Sequence, residues 1–355
     1  MTCERDSSTR LSAALDLLPL VQDPLSPGSV RLLEAMGELS AAPEEVRLIG
    51  IAPGGEWPRL PASLEMIRLG FPQSGAQRLR YTHSLLGRAA QRHGAEILLV
   101  VGSYPPLRCP IPVAVLDEPD AERSSGLLGR LSEAAGRAAL RPAFRLDEAP
   151  ADFAHEHRCA GGRSIPDSPE WGQAELVLAH GITSANLDLI LAAWTWVASA
   201  SSASLMTLTA HPRLQEKITE RAGRLDLGAS VVVPMGLEPD QVPALYERAS
   251  VLLLGGGRLG ASPARRALAR GLPIAAVDQA PLGEIVGDAG FLVRAGDARA
   301  LGAACLSILV DGALANQLRE RGLKQVARLT HGAEAAGLYD ALNRRVAARL
   351  DSSRA

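Results

Sequence analysis

The chain has 355 residues, which predicts two domains of ordinary size. Hydrophobic residues make up 47% and charged ones 21%, so disorder of the whole chain is excluded; a formal net charge of −2 argues against a nucleic-acid binder. Aromatics are only 3%, so the core has to come from Leu, Val, Ile and Ala, and Lys occurs only at Lys217 and Lys324, the other basic residues being Arg.

Residues 1–16 carry Glu4, Arg5, Asp6, Arg10 and Asp16 and do not read as a signal peptide, which predicts a cytoplasmic protein. Pro19, Pro24, Pro27 and Gly28 mark the first 30 residues as loop. A helix is expected from about Ser29 to Leu39. A buried strand follows at Val46–Ala52, stopped by Pro53-Gly54-Gly55, and then a helix over Gln77–His93. Ile97–Val101 and Pro112–Leu116 are continuous apolar runs, of the kind that suits parallel strands covered on both faces. Cys159–Pro169, rich in Gly, Ser and Pro, is the expected linker.

Beyond the linker, strands are expected at Leu176–Ala179, Leu205–Thr209, Val231–Val233, Val251–Leu254 and Ile274–Val277. Leu187, Ile190, Leu191, Trp194 and Ala198 fall on one face of an intervening helix. From Asp297 onward the pattern is helical. The alternation predicts an α/β chain of two Rossmann-like parallel-sheet domains, residues 1–165 and 166–330, facing a cleft, with a crossover helix and tail at 331–355. No apolar run approaches the ~20 residues of a membrane span. The basic tail (Arg344, Arg345, Arg349 and Arg354) reads as a solvated helix face, with weak membrane-surface contact as the alternative.

Cys3, Cys109, Cys159 and Cys305 stand far apart, and His155 and His157 beside Cys159 lack a second cysteine at zinc-finger spacing. Reduced, mostly buried thiols are expected, with no metal and no cofactor. Asp117-Glu118-Pro119-Asp120 is the nearest approach to a paired-acid motif and reads as a turn after a strand.

Gly255-Gly256-Gly257-Arg258-Leu259-Gly260 follows an apolar strand, and Asp278 lies about 20 residues on. This fits a dinucleotide fingerprint and, with it, an oxidoreductase. Few strands follow it, however, and Pro263 sits where the fingerprint helix should already be running; Ser262 as N-cap with Pro263 next would start the helix later. A plain tight turn is a further reading of the same glycines.

A longer stretch carries a resemblance. Val233-Pro234-Met235-Gly236, Pro243–Ser250, Ala267-Leu268-Ala269-Arg270-Gly271-Leu272-Pro273 and Gly283–Gly290 follow one another in the order and spacing of a known domain. Val231–Tyr339 resembles the C-terminal domain of retaining nucleotide-sugar glycosyltransferases of the GT-B fold, the group 1, family four type. Weaker echoes are Val177–Gly181 with Asn186, and Pro112–Asp117, which is similar to the N-domain strand that ends in His-Asp.

The resemblance implies a nucleotide-sugar site near Gly181, Asn186, Gly255, Gly256, Gly257, Gly260, Ser262, Gly283 and Glu284, with Asp117 contributed by the N-terminal domain. It also implies two glutamates, one on the donor sugar and one on the ribose. Their positions here are Arg258 and Arg266; Arg has no acceptor for a hydroxyl proton, and the two guanidinium groups, beside the helix start, are instead candidates to supply charge to the donor diphosphate. The His of the His-Asp pair is Leu116, and the turn Gly181–Asn186 carries no cation of its own. Three functions stay open: a glycosyltransferase acting on a surface-polysaccharide or glycolipid type of acceptor, an inactive relative that binds an anionic ligand or a protein partner, and a dinucleotide-dependent oxidoreductase.

Overall fold

The structure, a computed structural model, describes residues 10–41, 45–54, 60–70, 72, 74–101, 105–116, 144–145, 175–331 and 338–354. Asp117, His155, His157, Cys3, Cys159 and the expected linker Cys159–Pro169 lie outside the described residues. The chain divides into two compact units. The first comprises Met1–Gln22, Arg31–Ala151 and Ala333–Ala355; the second comprises Asp23–Val30 and Asp152–Gly332.

In the first unit, β1 (Leu11–Asp16), β2 (Val46–Pro53), β3 (Glu65–Leu69), β4 (Ile97–Val101), β5 (Val113–Leu116) and β6 (Phe144–Arg145) form one parallel sheet in the order β3-β2-β1-β4-β5-β6. The expectation of a loop over the first 30 residues is corrected here. That stretch holds the central strand β1 and the short helix α1 (Leu18–Gln22). Two of the apolar residues of β1 are alanines, weak strand formers, so local propensity does not mark it; burial on both faces does.

Pro27 does not mark a loop either. It opens α2 (Pro27–Ser40), and Ser26 Oγ accepts from the Ser29 N–H at 3.2 Å, so serine and proline together start the helix. The half-exposed edge strand β3 escapes sequence patterning. The expected helix over 77–93 comes in three pieces: α3 (Gly75–Arg80), a π-helical turn at Tyr81–Leu85 and α4 (Leu86–Arg92). The last helix of the chain, Leu338–Arg354, returns to this unit. Its Leu338, Ala341, Leu342 and Val346 join Leu11, Leu15, Leu32 and Met36 in one core.

The second unit repeats the topology. Its strands β7 (Leu176–His180), β8 (Ser204–Leu208), β9 (Val231–Val232), β10 (Val251–Leu254), β11 (Ile274–Val277) and β12 (Gly290–Val293) run parallel in the order β12-β11-β10-β7-β8-β9. The five expected strands are present. The sixth, β12, begins on a glycine and is only half-buried, so its sequence carries little strand signal.

The helices of this unit are α5 (Leu187–Ala198), α6 (Pro212–Arg224), α7 (Val242–Arg248), α8 (Ala261–Ala269), α9 (Leu282–Val286), α10 (Ala298–Val310) and α11 (Gly312–His331). One face of the sheet packs on Leu187, Ile190, Leu191 and Trp194 of α5 with Leu301, Cys305 and Ile308 of α10. The other face packs on Val242, Leu245 and Tyr246 of α7 with Ala264, Ala267 and Leu268 of α8, and it also buries Leu25 and Val30. Burial pushes the Cys305 thiol up to about 12, so it stays protonated.

Among the described residues no single helix is long and apolar enough to cross a membrane. In both sheets the strand order reverses beside the unit's first strand, between β1 and β4 and between β7 and β10. Open parallel sheets bind ligands at the carboxyl ends of the strands flanking such a point.

Candidate functional site

At the β7/β10 switch point two glycine turns meet. The register sets Leu253 opposite Ala179, which brings Gly255, just past β10, level with Gly181, just past β7. Gly181 has φ +73°, and a Cβ there would lie 2.7 Å from the Leu259 carbonyl oxygen. A Cβ on Gly255 would lie 2.8 Å from the Asn186 Cβ. Each turn is thus packed on the other's backbone or side chain, and only glycine fits. Gly181→Ala is expected to lower the stability of the second unit by at least about 1–2 kcal/mol, the penalty of a left-handed backbone alone; denaturant unfolding checks it, and an unchanged midpoint would show that the turn relaxes.

The first turn is fixed by its own side chains. Asn186 Oδ1 accepts from the Thr183 N–H at 2.8 Å, Asn186 Nδ2 donates to the Gly181 carbonyl at 3.2 Å, and Thr183 Oγ1 accepts from the amides of Ala185 and Asn186. Asn186 therefore shapes the turn from within. Helix α5 starts directly after it, leaving its N-terminal amides at this edge of the sheet.

The sequence shows no cation in this turn, but the fold brings one. Lys217, on α6, donates from Nζ to Ser184 Oγ at 3.0 Å. Four residues on, Arg221 pairs with Asp188 in the first turn of α5, which offsets that carboxylate's charge beside the turn. Lys217 was missed because it is more than 30 residues away in sequence. The only hint is that it is one of two lysines in an Arg-rich chain.

The second turn, Gly255-Gly256-Gly257, is left-handed at Gly256 and Gly257, with φ of +92° and +82°. It runs into a 3-10 turn, Arg258–Gly260, and then into α8. Helix α8 starts at Ala261 with Gly260 as its N-cap, so Ser262 lies inside the first turn and is not the cap that the sequence suggested. Arg258 is exposed on the turn. The loop after β11 completes the edge: Asp278 and Glu284 are exposed there, and a Cβ on Gly283 would be 3.0 Å from Asp278 Oδ1. Glu284 stands in the first turn of α9, where a carboxylate is favoured whether or not a ligand binds.

Arg266 is elsewhere. It lies on the buried face of α8, 2% exposed, with its guanidinium 5.5 Å from the Tyr246 ring centroid. Tyr246 in turn meets His180, the last residue of β7, with its hydroxyl 2.7 Å from Nδ1, and His180 Nε2 lies 2.9 Å from the Leu25 carbonyl oxygen. A carbonyl only accepts, so Nε2 carries the proton, Nδ1 is the acceptor, and the Tyr246 hydroxyl donates to it. Burial first, and the Arg266 charge second, push the His180 pKa down to about 3, so the ring is neutral. Of the two arginines at the expected glutamate positions, one faces solvent at the glycine turn and the other is part of the packed interior.

Asp117 cannot be placed with this site, since it lies outside the described residues; Leu116 before it is buried in the first unit's core. Among the described residues no three His, Cys, Asp or Glu side chains gather as a metal site. The glycine loop also follows the fourth strand of its unit in chain order. A dinucleotide fingerprint belongs after the first, which weakens the oxidoreductase reading.

The family model of glycosyl transferases group 1 matches residues 176–311. No curated protein matches the chain. Solved structures do. Sucrose-phosphate synthase from Thermosynechococcus elongatus is 14% identical with a TM-score of 0.62, covering 97% of this chain and 98% of that one. The UDP-forming α,α-trehalose-phosphate synthase from Burkholderia xenovorans, in complex with glucose-6-phosphate, is 11% identical with a TM-score of 0.60, covering 95% and 100%. A UDP-N-acetylglucosamine 2-epimerase is 12% identical with a TM-score of 0.53, covering 88% and 91%. At such identities the likeness fixes the fold, and chemistry has to be argued from the site. The chain has the GT-B fold, and its residues 176–311 are similar to the glycosyl transferases of group 1.

Proposed function

We propose that the chain binds a nucleoside-diphosphate sugar at the carboxyl edge of the second unit's sheet and transfers the sugar to an acceptor hydroxyl. The observation that carries this reading is the closure of the two glycine turns on each other at the β7/β10 switch point. That closure brings the Gly255–Gly257 turn and the start of α5 to one edge, where phosphate oxygens would sit. Lys217 and Arg258 supply positive charge from either turn. Transfer with retention needs charge placed against the leaving diphosphate, and these two side chains are suited to it. Asp278 and Glu284 are the carboxylates left at this edge to accept ribose or sugar hydroxyls. A polysaccharide or glycolipid type of acceptor remains the class that the family resemblance implies.

A second reading, ligand binding without turnover, draws support from Arg266. The position of the expected ribose-binding glutamate is taken up by an interior side chain, so one recognition element is gone.

Calorimetric titration with UDP, GDP, ADP and their glucose conjugates tests both. Binding by one nucleotide is expected, and Lys217→Ala and Arg258→Ala should each weaken it about tenfold, the worth of one charge-assisted hydrogen bond. Both side chains are on the surface, so stability should move by less than about 0.5 kcal/mol. Release of free nucleotide from the sugar conjugate separates transfer from binding alone. No heat with any nucleotide would sink both readings.

A further inference from the structure

We propose that residues 23–30 form a docking strap on the second unit, and that His180 is a positioning residue that links the strap to the ligand turn Gly181–Asn186. The idea rests on the ligand-site reading only for its consequence for binding; the mechanical link stands on contacts within the unit.

The strap is held at two places. Asp23 uses both carboxylate oxygens: Oδ2 accepts from the Thr209 hydroxyl at 2.6 Å, while Oδ1 accepts from the Ala210 N–H at 2.8 Å and from the strap's own Leu25 N–H at 3.1 Å. Thr209 and Ala210 lie just past β8, at the carboxyl edge of the sheet. Two residues along, Leu25 is 1% exposed and Val30 is 2% exposed, both within the core that also holds Leu178, Leu208 and Tyr246.

Between these anchors the Leu25 carbonyl takes the His180 Nε2–H. His180 is 1% exposed and its other nitrogen is already committed to Tyr246. If the strap lifts, a buried N–H loses its acceptor, and the ring has to rotate or admit water. The residue after His180 is Gly181, which has a positive φ and packs so closely on Leu259 that a Cβ there would lie 2.7 Å from its carbonyl oxygen. Movement at the end of β7 therefore passes into the turn that Asn186 closes. The docked strap keeps the turn in its ligand-ready shape.

Hydrogen exchange on the full chain tests this, with UDP titration beside it. Asp23→Ala removes the carboxylate anchor. Exchange in a peptide covering 23–30 should rise, and exchange over 181–187 should rise with it by about tenfold, while α10 (Ala298–Val310) stays unchanged as the internal control. Asp23→Asn, which keeps one acceptor oxygen, should restore part of the protection in both segments. UDP affinity should fall at least fivefold in Asp23→Ala. If α10 also exchanges faster, the variant has unfolded more widely; Thr209→Val, which removes one donor to the same carboxylate, then replaces it under the same expectation. Faster exchange in 23–30 with no change over 181–187 overturns the link. A wild-type chain that binds none of UDP, GDP and ADP would defeat the ligand reading, yet the exchange result would still decide the link.

Discussion

Replacing Arg266 by Glu, the residue that the family resemblance implies at this position, is expected to destabilise the second unit by roughly 3–5 kcal/mol, the range for a buried charge stripped of compensation. The position is 2% exposed and lies against the face of the Tyr246 ring. That face is electronegative, so it attracts a guanidinium and repels a carboxylate. The introduced acid would also favour a proton on His180, whose pKa the Arg266 charge now helps to depress. Arg266→Met, which keeps the volume without introducing a buried negative charge, should cost less than the Glu variant. Denaturant unfolding of the three proteins gives the order wild type, Met, Glu. No gain in nucleotide affinity should accompany the Glu variant. A Glu variant as stable as wild type, with tighter UDP binding, would instead put position 266 in the ligand site.

That contrast shows what the sequence could and could not reveal. The family resemblance puts the expected glutamates at Arg258 and Arg266, but spacing alone does not say which way a helical residue faces. Arg258 lies on an exposed turn and Arg266 beneath the helix, only eight residues apart. The strands of the second unit were legible because apolar runs such as Val251–Leu254 are buried on both faces. β1 was not, because its alanines and the prolines that follow mimic a loop, and its identity as the central strand depends on pairing with β2 and β4. Lys217 and His180 reach their partners across 33 and 155 residues. Contacts of that range leave no local pattern, so the missing cation of the Gly181–Asn186 turn and the anchoring of Asp23–Val30 emerge only from the fold.

The second large effect is a pH dependence set by His180. Its pKa is about 3 in the folded chain against about 6.5 when exposed, so the unfolded chain binds more protons between those values. Stability from this group is therefore complete above about pH 6.5 and is lost as pH falls toward 3. At pH 5 the loss is about 2 kcal/mol, and each further unit down to about pH 3 removes about 1.4 kcal/mol. The groups facing the ring account for the direction: burial dominates, Arg266 adds like-charge repulsion, and the Leu25 carbonyl opposes both weakly by accepting from Nε2–H. His83 in the first unit is also depressed by burial, and carboxylates titrate near pH 4, so the raw slope of the wild type is a sum over groups. His180→Gln isolates the histidine's share. A glutamine amide can still donate to the Leu25 carbonyl but has no proton to gain in this range. The stability difference between wild type and His180→Gln should thus shift by about 2 kcal/mol between pH 7.5 and pH 5, in the direction that favours the variant at the lower pH. Urea unfolding at the two pH values measures it. A difference that stays constant would mean that His180 ionises without leaving its place, and that Leu25 and Tyr246 do not hold it neutral.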